Sequence, residues 1–522
     1  MADTHPRPAG GHSAALGREE LASLLTGHIG QRRPPAPASP PPPSTPTAAP
    51  AAPAAAADPG AVPRLAGLPG ELPVSWDVIE ALQAQVSTAL SKEDPDKLLP
   101  AEDRRALAHS LTIKAVADWA TQYAQGNPPL TAVQEKAIST AVFDAMFRGG
   151  RLQTLLDEDG VEDVMVDGLR AYVEYYDRPR RTVERVADTP EELISWVNRT
   201  AQMSGHGERS LSQSTPMVGF RMQDGSRVTA SLLTTRPSVT IRKHRIVRHG
   251  LGDLVQWGSL NSVLAHFLIA CVHARMNILV VGDMGAGKTS LLRALGREIP
   301  EAERLVTLES DRELYLDEPG PRPGPVTFAF EARQSNGERS GDNRLAGEIT
   351  IADMFATALR YNATRVIVGE VRSTEIVPML QAMSAGGSGS MCTLHVRRPH
   401  AIVSRLVQLC AEAGMATEAA HHLIASSIDL VVNLSYLDET GLGGRKHRFV
   451  SHIYEVHDVV GEGGRPTTTE LFAPAGDERR AVFQNMPSFI EDLERTGKFD
   501  RRWLTTDPRG AWPAPLETVT PR

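Results

Sequence analysis

The sequence predicts an α/β protein: a mostly parallel sheet domain, preceded by a small α+β domain and a helical region. Three observations predict it. Between about residues 255 and 435, apolar runs of strand length alternate with amphipathic helical stretches. That is the pattern of a parallel sheet covered on both faces. One of these runs, "NILVVG", leads into a glycine-studded loop and then an amphipathic segment. Upstream, Asp167-Gly168 and Asp224-Gly225 each divide two β-rich runs, a hairpin signal because glycine takes the positive φ such turns need.

The chain has 522 residues, enough for two or three domains. Residues 1–70 are expected to form a disordered arm. Residues 32–63 are nearly all Pro, Ala, Ser and Thr and have too little to bury to offset the entropy of ordering. They read as a spacer, with a docking peptide for a proline-recognising partner as the alternative. Before them, Leu16, Leu21, Leu24 and Leu25 are spaced roughly helically, as in a transient or partner-binding helix.

Residues 71–150 read as helices. Trp76, Ile79, Leu82, Val86 and Leu90 recur every three or four residues and make one apolar face. Thr131 with Gln134 three residues on is a capping box, and Ile138, Ala141, Val142 and Phe147 line one side of the helix it opens. Residues 151–250 form the small α+β domain, closed by the basic run "SVTIRKHRIVRHG". Residues 251–460 carry the parallel sheet, with "NILVVG", "RLVTLE", "RVIVGE", "SMCTLHV" and "LVVNLS" as buried strands. Residues 461–522 are a C-terminal extension, expected to be partly disordered because its end is polar and proline-spaced.

Formal net charge is −8, from 55 Lys+Arg against 63 Asp+Glu, which argues against a protein dedicated to gripping nucleic acid. The three cysteines Cys271, Cys392 and Cys410 are widely spaced, which argues against a disulfide framework and for a reducing compartment. There is no run of about 18 apolar residues, and the first residues lack the apolar centre of a signal peptide. The expectation is a cytoplasmic chain, with no transmembrane segment of its own, that reaches any membrane through partners.

The chemistry starts at Gly282, Asp283, Met284, Gly285, Ala286, Gly287, Lys288 and Thr289, which match GxxxxGK[ST] completely. A strand precedes them and a helix follows, the context of a phosphate-binding loop in a RecA-like domain. The glycines let successive N–H groups face phosphates, and the helix start adds its positive dipole end. Lys288 supplies charge for the β/γ phosphates, the Thr289 hydroxyl is a ligand for Mg²⁺, and Ser290 completes the seat. ATP and Mg²⁺ are therefore the expected cofactors. Three polar strand ends follow in order: Glu309 with Asp311 and Glu313 beyond it, Glu370 followed by Arg372, and His395. Carboxyl ends of parallel strands are where ligands sit in such folds.

Over about residues 140–460 the sequence resembles the traffic ATPases of the type II/type IV secretion superfamily, with the CpaF-like, tight-adherence pilus branch the most similar. That family carries a Walker A loop, an acidic "Asp box", a Walker B ending in Gly-Glu and a "His box". Here these resemble Gly282 to Thr289, Glu309 to Glu313, "VIVGEVR" with Glu370, and "GSMCTLHV" with His395. "GGRLQTLLDEDGVEDVMVDG" resembles the start of the family's N-terminal domain, and "DGSRVTASL" and "TIRKH" its arginine-bearing strands. Two boxes depart from the usual form: Glu-Asp reads Glu309-Ser310, and a Gly-His pair reads Gly386-Gly387.

The roles that follow are candidates. Glu370 orients the attacking water. Glu309 or Glu313 serves the Mg²⁺ shell, with Thr289, or acts as a second general base; solvated surface charges are the alternative. His395 senses the γ-phosphate or is a structural histidine. The resemblance implies that arginines of the small domain, among Arg221, Arg227 and Arg242, close over the nucleotide. The cluster Arg242, Lys243, His244, Arg245 and Arg248 also reads as a nucleic-acid patch, although it lacks interleaved aromatics. The resemblance implies a ring-forming ATPase, a homo-hexamer, that powers pilus assembly or protein secretion with inner-membrane platform proteins. The rival readings are a conjugation-type DNA translocase and a nucleotide-bound, non-hydrolysing scaffold.

Overall fold

A computed structural model describes residues 74–96, 98–204, 210–243, 249–320, 322–333, 347–461, 464–506, 512 and 514–519. The arm 1–70, the leucines at 16–25, and His244, Arg245 and Arg248 of the basic run lie outside the described residues.

Three helices, Trp76–Glu93, Ala101–Tyr123 and Ala132–Phe147, pack around Ile79, Leu82, Val86, Val116, Ile138 and Val142. The apolar face read at 76–90 is the face that is buried. The capping box forms: the Gln134 amide donates to Thr131 Oγ1 at 3.3 Å, and the Thr131 amide donates to Gln134 Oε1 at 2.9 Å. Phe147 does not join this core. It sits half-buried against Phe143, with ring centroids 5.0 Å apart.

The small domain is a six-stranded antiparallel sheet. Its strands are β1 (Val161–Asp167), β2 (Arg170–Tyr175), β3 (Arg181–Val183), β4 (Met217–Arg221), β5 (Arg227–Ser231) and β6 (Ser238–Arg242), in the order β3-β2-β1-β6-β5-β4. Helix Pro190–Met203 buries Leu193, Trp196, Val197 and Ala201 in the same core as Val164, Val173, Val228 and Ile241. Both Asp-Gly pairs make the predicted hairpins. Asp167 pairs with Arg170, so the turn is Gly168-Leu169, and Gly168 has φ 62°. In the second, Gly225 has φ 86° and Asp224 Oδ1 accepts the Ser226 amide at 2.9 Å.

The large sheet has nine strands: β7 (Ile278–Gly282), β8 (Arg304–Glu309), β9 (Val326–Glu331), β10 (Arg365–Val371), β11 (Met391–His395), β12 (Leu430–Asp438), β13 (Lys446–Val460), β14 (Pro466–Ala475) and β15 (Glu478–Phe483). The order is β15-β14-β13-β12-β7-β11-β10-β8-β9. All pairs from β12 through β9 are parallel, and β13 to β15 add antiparallel strands. The five strands predicted from apolar runs are all present. One face is covered by residues such as Phe267, Leu268 and Leu292, the other by Met354, Leu380, Leu409 and Ile424.

The sheet continues past residue 460, where the sequence reading ended the domain. Leu471 and Phe472 of β14, Ala481 of β15, and Leu493, Phe499 and Leu504 beyond them share a core with Phe267 and Leu292. The extension is held here because its apolar residues complete the layer over the antiparallel strands. The three cysteines are free and buried, and among the described residues no helix is long and apolar enough to cross a membrane.

Candidate nucleotide site

β7 ends in the loop Gly282 to Gly287, and helix Lys288–Gly296 starts directly after it. Gly282, Gly285 and Gly287 have φ of 153°, 74° and 90°. A Cβ on Gly282 would come within 2.5 Å of the Leu434 carbonyl oxygen, so only glycine fits between the loop and β12. No side chain caps the helix N-terminus, which leaves its first amides open to an anion. The glycine-rich backbone and the uncapped helix fit a phosphate group.

Lys288 is buried at the mouth of the loop. Its Nζ donates to the Asp283 carbonyl and to His395 Nδ1, both at 2.9 Å. Burial draws its pKa down to about 8, against the opposing pull of Glu370 and Asp283. With Lys288 as donor, Nδ1 of a neutral His395 is the acceptor and the ring proton sits on Nε2. That nitrogen lies 2.8 Å from Glu370 Oε1, and Arg372 donates to Glu370 Oε2 at 2.5 Å. Burial alone would raise the Glu370 carboxyl, but the hydrogen bonds from His395 and Arg372 and the Arg372 charge prevail and hold it at about 2.

Glu309 has the opposite electrostatics. Burial pushes its carboxyl up to about 7, although Oε1 accepts the Glu313 and Leu314 amides at 2.9 Å each. Gly369, the glycine before Glu370, makes room for it: a Cβ there would lie 3.0 Å from Glu309 Cγ. A side chain at position 369 would crowd the Glu309 side chain.

Thr289, Glu309, Ser310, Asp311, Glu313, Gly369, Glu370, Arg372 and Arg227 line one cleft. Arg227 reaches it from the small domain and pairs with Asp311 at 2.8 Å. Arg221 pairs with Glu331 on β9 at 2.7 Å. Arg242 lies beside Arg227 in the β5–β6 register, yet its Nε is held by Asp163 Oδ1 at 2.8 Å, and it is not among the residues lining the cleft. Met284, at the tip of the loop, is exposed.

Among the described residues no three His, Cys, Asp or Glu side chains gather into a metal cage. Mg²⁺ takes one or two protein oxygens and completes its shell with phosphate oxygens and water. Thr289, Glu309, Ser310, Asp311, Glu313 and Glu370 bring side-chain oxygens to the cleft.

A family model described as "Type II/IV secretion system protein" matches residues 181–486. The chain belongs to this family. A putative conjugal transfer protein of Mycobacterium tuberculosis is 30% identical to it over 298 residues, 55% of this chain and 80% of that protein. The conjugal transfer protein TrbB of Rhizobium radiobacter is 28% identical over 314 residues, covering 58% and 87%. Among solved structures, the Legionella pneumophila ATPase DotB is similar with a TM-score of 0.40 at 17% identity, covering 70% of this chain and 86% of that one.

In this member of the type II/IV secretion family, sequence reasoning missed how Asp311 is used. Its partner Arg227 lies 84 positions earlier in another domain, and no local spacing connects them. Arg448 was also missed. It follows no motif, yet its Nε donates to the Gly285 carbonyl at 2.7 Å.

Proposed function

We propose that this protein is a Mg²⁺-dependent ATP hydrolase that works as a homo-hexameric ring. It would drive pilus assembly or protein secretion at the cytoplasmic face of an inner-membrane complex. The observation that carries the reading is the continuous chain Lys288–His395–Glu370, which links the phosphate loop to the end of β10 beside Glu309, Thr289 and Arg227.

The loop amides and Lys288 bind the phosphates, and the helix dipole favours their charge. Mg²⁺ would neutralise phosphate oxygens and would be held by Thr289, and Glu309 is then left without a metal bond. Glu370 stays anionic and is fixed on both oxygens, so it suits orienting a water by hydrogen bonding. Its low basicity makes it a poor proton acceptor. Glu309, titrating near neutrality, is matched to accepting the proton. Arg227, once released from Asp311, places a bidentate cation against the developing charge. Arrival of a phosphate draws Lys288 away from His395, which gives His395 a means to report occupancy to Glu370.

The conjugal transfer names of the relatives favour a second reading, a motor that moves DNA. Steady-state ATP turnover by the full chain, with and without DNA, tests both. Turnover that DNA leaves unchanged supports the secretion or pilus reading, and strong stimulation by DNA supports the other. Absence of turnover with intact nucleotide binding would leave a nucleotide-bound scaffold.

A further inference from the structure

Away from Glu309 and Glu370, a second set of charged contacts joins the phosphate loop to the small domain. Arg448, near the start of β13, donates from Nε to the Gly285 carbonyl at 2.7 Å. Its Nη2 lies 2.8 Å from Glu162 Oε1, on β1 of the small domain. The guanidinium lies over the Tyr436 ring, 5.3 Å from its centroid. The stem lies against the loop, since a Cβ on Gly287 would meet Arg448 Cδ at 3.7 Å. The other oxygen of Glu162 is taken by buried Lys446 at 3.0 Å, which also lies 3.7 Å from Glu174. Glu162 sits where the β1–β2 register shifts, between Val161 and Asp163.

A loop that turns its N–H groups inward to an anion must turn carbonyls outward, and an outward carbonyl needs a donor. Gly285, at φ 74°, supplies that carbonyl, and Arg448 is its donor. We propose that Arg448 is a positioning residue that couples nucleotide binding at the phosphate loop to the seating of the small domain. One guanidinium holds the loop in its anion-binding shape and is itself held by Glu162, so each contact favours the other. The planar fork serves two acceptors in fixed directions, which an ammonium does not. The inference rests on the nucleotide-site reading above. Linkage is reciprocal: if a nucleotide tightens the Arg448–Glu162 contact, loss of Glu162 weakens the nucleotide. Glu162 does so from another domain, without lining the cleft.

The test is fluorescent ATP-analogue binding by the full chain as wild type, Glu162→Gln, Arg448→Ala, Arg448→Lys and the Glu162→Gln/Arg448→Ala double variant. Each single variant is expected to bind about fivefold or more weakly, a coupling of ordinary size. The double variant is expected to bind no more weakly than Arg448→Ala. Arg448→Lys should not restore affinity. Nucleotide should slow amide exchange in Val161–Asp167 of the wild type and leave it unchanged in Arg448→Ala, a response that a purely structural role would not remove. Glu162→Gln is isosteric, so its affinity decides the matter if Arg448→Ala does not fold. Wild-type affinity in Glu162→Gln, additive losses in the double variant, or full rescue by lysine would each overturn the coupling while the nucleotide site stands. Failure of the wild type to bind would overturn both.

Discussion

Lys288 and His395 share a hydrogen bond, Nζ to Nδ1 at 2.9 Å, and the same imidazole holds Glu370 through Nε2 at 2.8 Å. Removing the ring therefore acts on both ends. His395→Ala is expected to lower kcat by about 10-fold or more, as loss of a group that positions a reacting water does. Glu370 also loses a partner that depresses its pKa, so its carboxyl protonates at higher pH. The acid side of the kcat–pH profile should move upward in pH. An unmoved acid limb would mean that His395 does not control Glu370.

Glu309 titrates at about 7 because it is buried. If it accepts the proton, kcat should rise with pH through this region, and Glu309→Gln should remove that limb along with most of the activity. The linkage sign is separate and opposite. A carboxyl whose folded pKa lies above its unfolded value contributes stability at low pH that is lost as pH rises through the folded pKa. Glu309→Gln should therefore raise Tm, relative to wild type, more at pH 8.5 than at pH 5. Thermal melts at the two pH values check it, and equal differences would contradict the raised pKa.

Arg227 lines the cleft and Arg242 does not. Arg227→Ala is expected to lower kcat by about 10-fold or more with a smaller change in nucleotide affinity, and lysine should rescue only in part. Arg242→Ala should cost less activity, since Asp163 already holds its guanidinium on the small-domain sheet. Steady-state rates beside nucleotide affinity for both variants make the comparison. Equal losses would show that Arg242 swings into the cleft during turnover.

Phe472 is buried at 1% exposure and meets Phe267 edge-on, with centroids 5.1 Å apart. Phe472→Ala should destabilise the protein by about 3–5 kcal/mol, as for other buried aromatics cut to alanine. Denaturant unfolding reads it. A loss under about 1 kcal/mol would mean that the segment after residue 460 is not part of the core.

The strands that were legible in the sequence are those buried on both faces. β7 and β8 read as near-continuous apolar runs because helices cover both sides of them. β9, an edge strand with Val326 and Phe328 exposed, was not read although VTFAFE is largely apolar, because no helical stretch or site motif flanks it in the pattern of the buried strands. β13, β14 and β15 mix polar and apolar residues, because antiparallel strands at a sheet margin need bury only one face. Within the site, Lys288, Glu309, Glu370 and His395 were legible because each sits in a loop or at a strand end with a recognisable spacing. Arg448 and the Arg227–Asp311 pair were not, since their meaning lies in contacts between segments far apart in the chain.

If Lys288 holds phosphate and Glu370 orients the water, nucleotide binding and hydrolysis separate at the two ends of the Lys288–His395–Glu370 chain. The most direct test is ATP turnover beside nucleotide binding for the wild type, Lys288→Ala and Glu370→Gln. The wild type is expected to bind and hydrolyse ATP. Lys288→Ala should lose both, and Glu370→Gln should bind but turn over at least about 100-fold more slowly. Turnover by Glu370→Gln at the wild-type rate, or nucleotide affinity unchanged in Lys288→Ala, would mean that these residues do not have these roles.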